Sequence, residues 1–284
     1  MSVSFDSPHA LSDLAYFFPI PAQMTPNDKL FLLGSMRLAR KTLSYAYVEI
    51  GSFLGGSLTP FLMDPACKMV LSIDERGQVL PDERGINIDY SGITTQSMLD
   101  ELNRCGIETE KLRTFDGSIH TLANNHTASF DVAFIDGEHT DEACFRDFLW
   151  TLPLMKSDAV IIFHDSSLIC KSLKLIMVYL DKTKIAYTFF KGANSEMSAL
   201  LFGNYCNTDH VQYFGTEADP SVFFSYAKDF VFKSQFENRA RLRFAPTKLL
   251  KLQIPLTVDI ERPKIEKMVD ELDRAGYRRP IKNT

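Results

Sequence analysis

The residues best suited to chemistry form one run, Asp136-Gly137-Glu138-His139, directly after Val132-Ala133-Phe134-Ile135. Two carboxylates and an imidazole this close together can bind a cation or accept a proton near neutral pH. The four apolar residues before them suit a strand covered on both faces, as in a parallel sheet. In open α/β sheets, ligands bind just beyond the carboxyl ends of the strands. The run therefore reads as a strand delivering a polar cluster to a site. Taken alone it also reads as a plain surface turn, because Asp-Gly is a common turn pair.

A second run bears on the choice. The short apolar strand Ala46–Ile50 leads through Glu49-Ile50-Gly51-Ser52-Phe53-Leu54-Gly55-Gly56-Ser57. A glycine-rich turn between strand and helix lets a ligand approach the backbone and points N–H groups at it. A phosphate loop needs Lys after its last glycine, and here Ser57-Leu58 follow Gly56, which disfavours nucleoside triphosphates. A dinucleotide turn needs its second glycine where this chain has Phe53, which disfavours NAD and FAD. A ligand without phosphates fits better.

Acids recur at the strand ends. Asp74 follows Met69–Ile73 at the distance from the glycine turn where an acid meets ribose hydroxyls. Asp116, with Gly117 after it, ends a weak strand over Lys111–Phe115, where a carboxylate can accept from an exocyclic amino group. Asp165, preceded by His164, ends Ala159–Phe163. Each alone could be a helix cap or a solvated turn residue. Together with Glu49 and Asp136 they give five successive strands an acidic end, a rim that suits a cationic nucleoside.

The elements that must hold these residues alternate. Helices are expected over 27–43 with Asn27 as cap, from Ser57 to Met63, over Thr95–Cys105, over Ser118–Asn125, over Asp141–Met155 and around Leu173–Leu180. Residues 75–93 carry no clear period and read as a loop. Strands Ala186–Phe190 and Ser198–Phe202, joined by Lys191–Met197, read as a hairpin. This predicts an α/β fold with a doubly wound, mostly parallel, seven-stranded sheet and an antiparallel edge hairpin. Residues 1–28 read as an N-terminal arm, 29–206 as the ligand-binding domain and 207–284 as a helical C-terminal extension. The extension holds Phe223, Tyr226 and Phe230, a basic stretch Arg239–Lys251 read as a solvated face, and a last amphipathic stretch with Ile265, Met268, Val269 and Leu272. Capping, substrate enclosure or homo-oligomer contact are its expected uses.

Composition narrows the function. With 284 residues, 45% apolar and 24% charged, the chain can bury a sizeable core. A net charge of −5 gives no reason to expect nucleic-acid binding. No apolar run reaches a membrane span and no secretory leader is evident. Cys67, Cys105, Cys144, Cys170 and Cys206 are scattered, with no C-x-x-C pair, which suits a reducing compartment. The expectation is a cytoplasmic protein with a small-molecule partner. His120, His126 and His210 have no comparable context and receive no role.

At this point the motifs carry a resemblance. Glu49-Ile50-Gly51 through Gly55-Gly56-Ser57 resembles the cofactor motif of class I S-adenosylmethionine (SAM)-dependent methyltransferases, and Asp74 resembles their ribose-binding acid. Phe134-Ile135-Asp136-Gly137-Glu138-His139-Thr140, Phe145-Arg146-Asp147 and Ile162-Phe163-His164-Asp165 are similar to the subgroup called methyltransferase family 24, which includes sugar and macrolide O-methyltransferases. The resemblance covers roughly residues 30–203 and implies a Rossmann-like methyltransferase fold. It implies SAM contacts from Glu49, Gly51, Ser52, Phe53, Gly55, Gly56, Ser57, Asp74, Asp116, Gly117 and Asp136. It further implies His139 as general base, and Asp136 with the pair His164-Asp165 as ligands of Mg²⁺ or another divalent metal. His164 departs from the acid expected there, and hard Mg²⁺ prefers oxygen. The expected reaction is methyl transfer to a sugar or natural-product hydroxyl. The alternatives are a metal-independent or N-directed methyltransferase, and a non-catalytic SAM- or nucleoside-binding module.

Overall fold

The computed structural model describes residues 14–122 and 128–244, with side chains to Asn238. His126, residues 1–13 of the expected arm, the end of the expected helix Ser118–Asn125, the side chains of Arg239–Lys251 and the stretch from Ile265 to Leu272 lie outside the described residues.

The chain runs β1 (Tyr45–Ile50), β2 (Cys67–Asp74), β3 (Val79–Pro81), β4 (Asn87–Asp89), β5 (Leu112–Asp116), β6 (Phe130–Ile135), β7 (Met155–Phe163), β8 (Tyr187–Lys191) and β9 (Ser198–Phe202). The helices are α1 (Pro26–Ala39), α2 (Thr59–Met63), α3 (Thr95–Arg104), α4 (Asp141–Thr151), α5 (Cys170–Thr183), α6 (His210–Phe214) and α7 (Pro220–Phe244). The seven-stranded sheet has the order β5-β2-β1-β6-β7-β9-β8. It is parallel from β5 to β7, and β9 runs antiparallel to both β7 and β8.

Period-two alternation divides the core. Ala46, Val48 and Ile50 face a layer holding Phe145, Phe148, Leu173, Phe223 and Ala227. Tyr45, Tyr47, Val132 and Phe134 face the other layer, with Phe31, Met36, Phe61, Met98 and Phe214. Helices therefore cover both faces, as the near-continuous apolar strands require. Truncating a fully buried ring such as Phe134 to Ala costs about 3–5 kcal/mol.

Several boundaries differ from expectation. The α1 cap is Thr25, which accepts from Asp28 N while the Asp28 side chain accepts from Thr25 N, and Pro26 opens the helix. The expected loop 75–93 contains the β3–β4 hairpin. Helix α4 stops at Thr151 because Pro153 tightens the chain into a 3₁₀ turn, Leu152–Leu154. Strand β7 starts at Met155 rather than Ala159: Met155 pairs with Phe130, and Lys156 Nζ reaches Asp131 at 2.7 Å. The described part of the expected helix Ser118–Asn125 is a 3₁₀ turn, Ile119–Thr121.

The extension is not set apart from the domain. Helix α6 packs on α1, and α7 places Phe223, Phe224 and Ala227 in the core while exposing Val222, Tyr226, Phe232 and Phe236. No helix among the described residues is long and apolar enough to cross a membrane.

Register brings the strand ends level. Ile50 lies opposite Ile73 and Ile135, Asp74 opposite Asp116, and Ile135 opposite Phe163. Gly51, Asp74, Gly117 and Asp136, at or just past these ends, open onto one crevice, at the point where the order reverses between β1 and β6.

Candidate active site

A cavity of about 1010 Å³, counted with its open mouth, lies over this edge. Its floor includes Gly51, Ser52, Phe53, Asp74, Asp136 and His139. Gly51 has φ +85°, and a Cβ there would lie 2.1 Å from the Asp136 carbonyl oxygen. Glycine is required on both counts. Phe53, with φ 45°, is one of few non-glycine residues in the left-handed region.

Asp74 fixes this turn. Its Oδ2 accepts from Ser52 N at 2.8 Å and Phe53 N at 3.2 Å, and Arg76 lies 3.2 Å away. Burial raises the Asp74 pKa in spite of these partners. Arg76 also donates to the Phe53 carbonyl, closing the turn from the other side. Glu49 stands behind the wall, fully buried, accepting from Ser57 Oγ at 2.6 Å and from Tyr47 OH. Burial pushes its pKa up to about 8. Gly55 packs on Met98 and Leu102, while Gly56 and Ser57 face the cavity. Gly117 and Ser118 line the cavity too, whereas the exposed Asp116 side chain turns to α3 and accepts from Thr95 Oγ1.

Four donor atoms converge beside the floor. His139 Nε2 lies 3.5 Å from Asp136 Oδ1 and 3.2 Å from Asp165 Oδ2. His164 Nδ1 lies 3.1 and 3.4 Å from the same two oxygens. Asp136, His139 and Asp165 each offer an atom within 4.8 Å of the other two. Asp165 sits at φ 46°, a strained conformation of the kind found at functional positions. The His164 ring is buried edge-on to Phe134, and neither of its nitrogens makes an aligned hydrogen bond. Burial opposes charge on His164, but Asp136, Asp165 and Asp28 outweigh it and hold its pKa well above the usual imidazole range. The same balance raises His139, while the two imidazoles lower Asp136 against its own burial.

In three places sequence reasoning singled out no residue. Asp28, buried in the first turn of α1, takes Ser195 Oγ at 2.6 Å and Glu196 N at 2.8 Å, and lies 3.8 Å from His164 Nε2. Glu83, in the β3–β4 turn, bonds both sides of the His139 segment. The Pro21–Met24 arm and Leu80 and Tyr90 wall the cavity, with Tyr90 OH on Gln23 Oε1 at 3.2 Å. Thr25-Pro26 followed by Asp28 was the one available signal for the first. The others lie in segments without a period.

Comparisons with known proteins follow the same outline. The family described as a methyltransferase domain, methyltransferase family 24, matches residues 48–166. Uncharacterized protein R132 of Acanthamoeba polyphaga mimivirus is 24% identical over 119 residues, 42% of this chain and 50% of that protein. The chain thus spans about half the length of this curated relative. The solved O-methyltransferase NovP shares 16% identity over 62% of this chain and 80% of its own, with a TM-score of 0.50. The O-methyltransferase TomG from Streptomyces achromogenes, solved with SAM, shares 18% over 72% and 93%, with a TM-score of 0.44. The glycine turn, Asp74, Asp136 and the His164-Asp165 pair all fall within residues 48–166, the stretch that matches the methyltransferase domain of family 24.

Proposed function

We propose that the enzyme methylates a hydroxyl of a small molecule, a sugar or natural product, with a divalent ion at Asp136, Asp165 and His164 and with His139 as proton acceptor. The observation that carries this is the approach of two imidazole nitrogens to the same two carboxylate oxygens, all at 3.1–3.5 Å. Such spacing suits ligands sharing one ion. Both nitrogens of buried His164 face carboxylates without an aligned hydrogen bond, which leaves them open to a shared ion. Nitrogen donors favour a borderline ion such as Mn²⁺, Co²⁺ or Zn²⁺ over Mg²⁺. When bound, such an ion supplies positive charge that eases loss of a hydroxyl proton.

SAM would be held by the turn Gly51–Phe53, by Asp74 and by the Gly117–Ile119 segment, and supplies an activated methyl group. The chain's own residues then have three tasks. Arm and hairpin exclude water over the cavity. Asp136, next to the Gly51 turn, sets the acceptor side against the cofactor side. His139 Nε2, beside the same carboxylates, takes the hydroxyl proton. The O-methyltransferase NovP shares this fold, in keeping with the reading.

Radiolabelled SAM, Mn²⁺ and a panel of matched sugar and macrolide alcohols and amines test it. Turnover of alcohols, removed by chelator and restored by Mn²⁺, is expected. Transfer confined to amines, or untouched by chelator, would sink it. A second reading makes His139 a ligand too, favoured by its distances to Asp136 and Asp165. The His139→Ala variant separates the two: as base, its loss leaves Co²⁺ binding intact; as ligand, it abolishes it.

A further inference from the structure

The β3–β4 hairpin does more than wall the cavity. Glu83 N donates to the His139 carbonyl at 3.0 Å, and Glu83 Oε1 accepts from Asp141 N at 2.9 Å. These two bonds bracket the bend between β6 and α4, on which His139 stands. On its far side the bend is tied again, since Asp141 Oδ1 accepts from Ser172 N at 2.7 Å. Helix α7 in turn reaches the hairpin: Gln235 Nε2 donates to the Glu83 carbonyl at 2.7 Å and Asn238 Nδ2 to the Arg84 carbonyl at 2.9 Å.

We infer that Glu83 is the positioning residue for His139, and that α7 holds Glu83 in place. The inference rests on the reading of His139 as a working residue of the site. Glu83 touches neither the strand-end carboxylates nor the glycine turn in any of these bonds. Its effect passes through the backbone on both sides of His139. A reacting group displaced by about 1 Å loses on the order of 100-fold in rate, so two bonds about a single bend are a sufficient lever. The role needs an acceptor oxygen at this position rather than a charge, so Gln should serve and Ala should not.

Amide hydrogen exchange of the full chain, read by mass spectrometry, tests this beside calorimetric SAM titration. In Glu83→Ala, amides 139–143 should exchange about tenfold faster while β1 and β6 and the SAM affinity stay unchanged. Glu83→Gln should match the parent, and Gln235→Ala with Asn238→Ala should loosen residues 82–86 and, more weakly, 139–143. For any alcohol turned over, Glu83→Ala should lower kcat and leave KM for SAM alone. Unchanged exchange at 139–143 in Glu83→Ala overturns the inference, as does a Gln variant no better than Ala. Should Glu83→Ala fail to fold, the Gln variant and the α7 pair decide on the same amides. If His139→Ala keeps full turnover while the exchange results hold, the proposed chemistry fails and the positioning contact stands.

Discussion

Gly51 and Asp136 approach so closely that a methyl group on the first would meet the carbonyl oxygen of the second at 2.1 Å. Strands β1 and β6 are neighbours in the sheet, so neither can move away alone. Gly51→Ala combines this overlap with an alanine in left-handed backbone, at about 3 kcal/mol in all. The variant should melt lower and bind SAM on the order of 100-fold more weakly by calorimetry. Unchanged affinity would show that the turn is not part of the cofactor site.

Asp74 gives a gentler test of the same turn. Asp74→Ala leaves Ser52 N and Phe53 N without their carboxylate, and charged hydrogen bonds contribute about 1.5–3 kcal/mol. SAM affinity should fall by about 10- to 100-fold, with Tm lowered by about 2–4 °C for each kcal/mol of stability lost. Asp74→Asn, which keeps one acceptor oxygen, should fall between.

His164 makes a third case. It lies among Asp28, Asp136 and Asp165, and His164→Asn leaves these acids without their imidazole. Removing one partner from a buried cluster costs several kcal/mol, here on the order of 2–3 because Asp136 and Asp165 retain some solvent. Thermal scans should show a lower Tm for the ion-free variant and, with one proposed ligand weakened, a smaller gain on adding Mn²⁺ than the parent shows. A variant as stable as the parent without ion would remove His164 from the charge balance.

Much of this was legible because apolar runs and acids are local signals. Strands such as Val132–Ile135 declare themselves by composition, and an acid after each declares the rim. Asp116 shows the limit: its strand end was found, but its side chain was claimed by Thr95 from α3, a partner no spacing rule reveals. Asp28 and Glu83 show another. Both act through hydrogen bonds to segments far along the chain, at Ser195 and at His139, and neither lies in a run whose period points there. His164 was read as an awkward oxygen substitute. Its setting among three carboxylates favours its charged form against the cost of burial.

Glu49 ties stability to pH. Its folded pKa of about 8 exceeds the ordinary 4.5, so between those values the folded chain keeps a proton that the unfolded chain releases. Stability from this group is full below about 4.5, falls as pH rises towards about 8 and is level above. Glu49→Gln should flatten the dependence of Tm on pH across that window, and an equal slope in both proteins would count against the burial argument.

On the proposed function, the β3–β4 hairpin has a consequence for how such a site can diversify. Leu80 on one of its strands faces the cavity, and Glu83 at its tip grips the His139 bend. Loops can usually be exchanged to alter substrate choice without disturbing the rest of a scaffold. This one cannot be traded as a free cassette. A graft that reshapes the cavity wall also moves the contact behind His139, the proposed proton acceptor. On the proposed roles of His139 and Glu83, choice of substrate and speed of turnover are inherited together, and changes in this hairpin that keep an acceptor oxygen at position 83 are the ones that leave both intact.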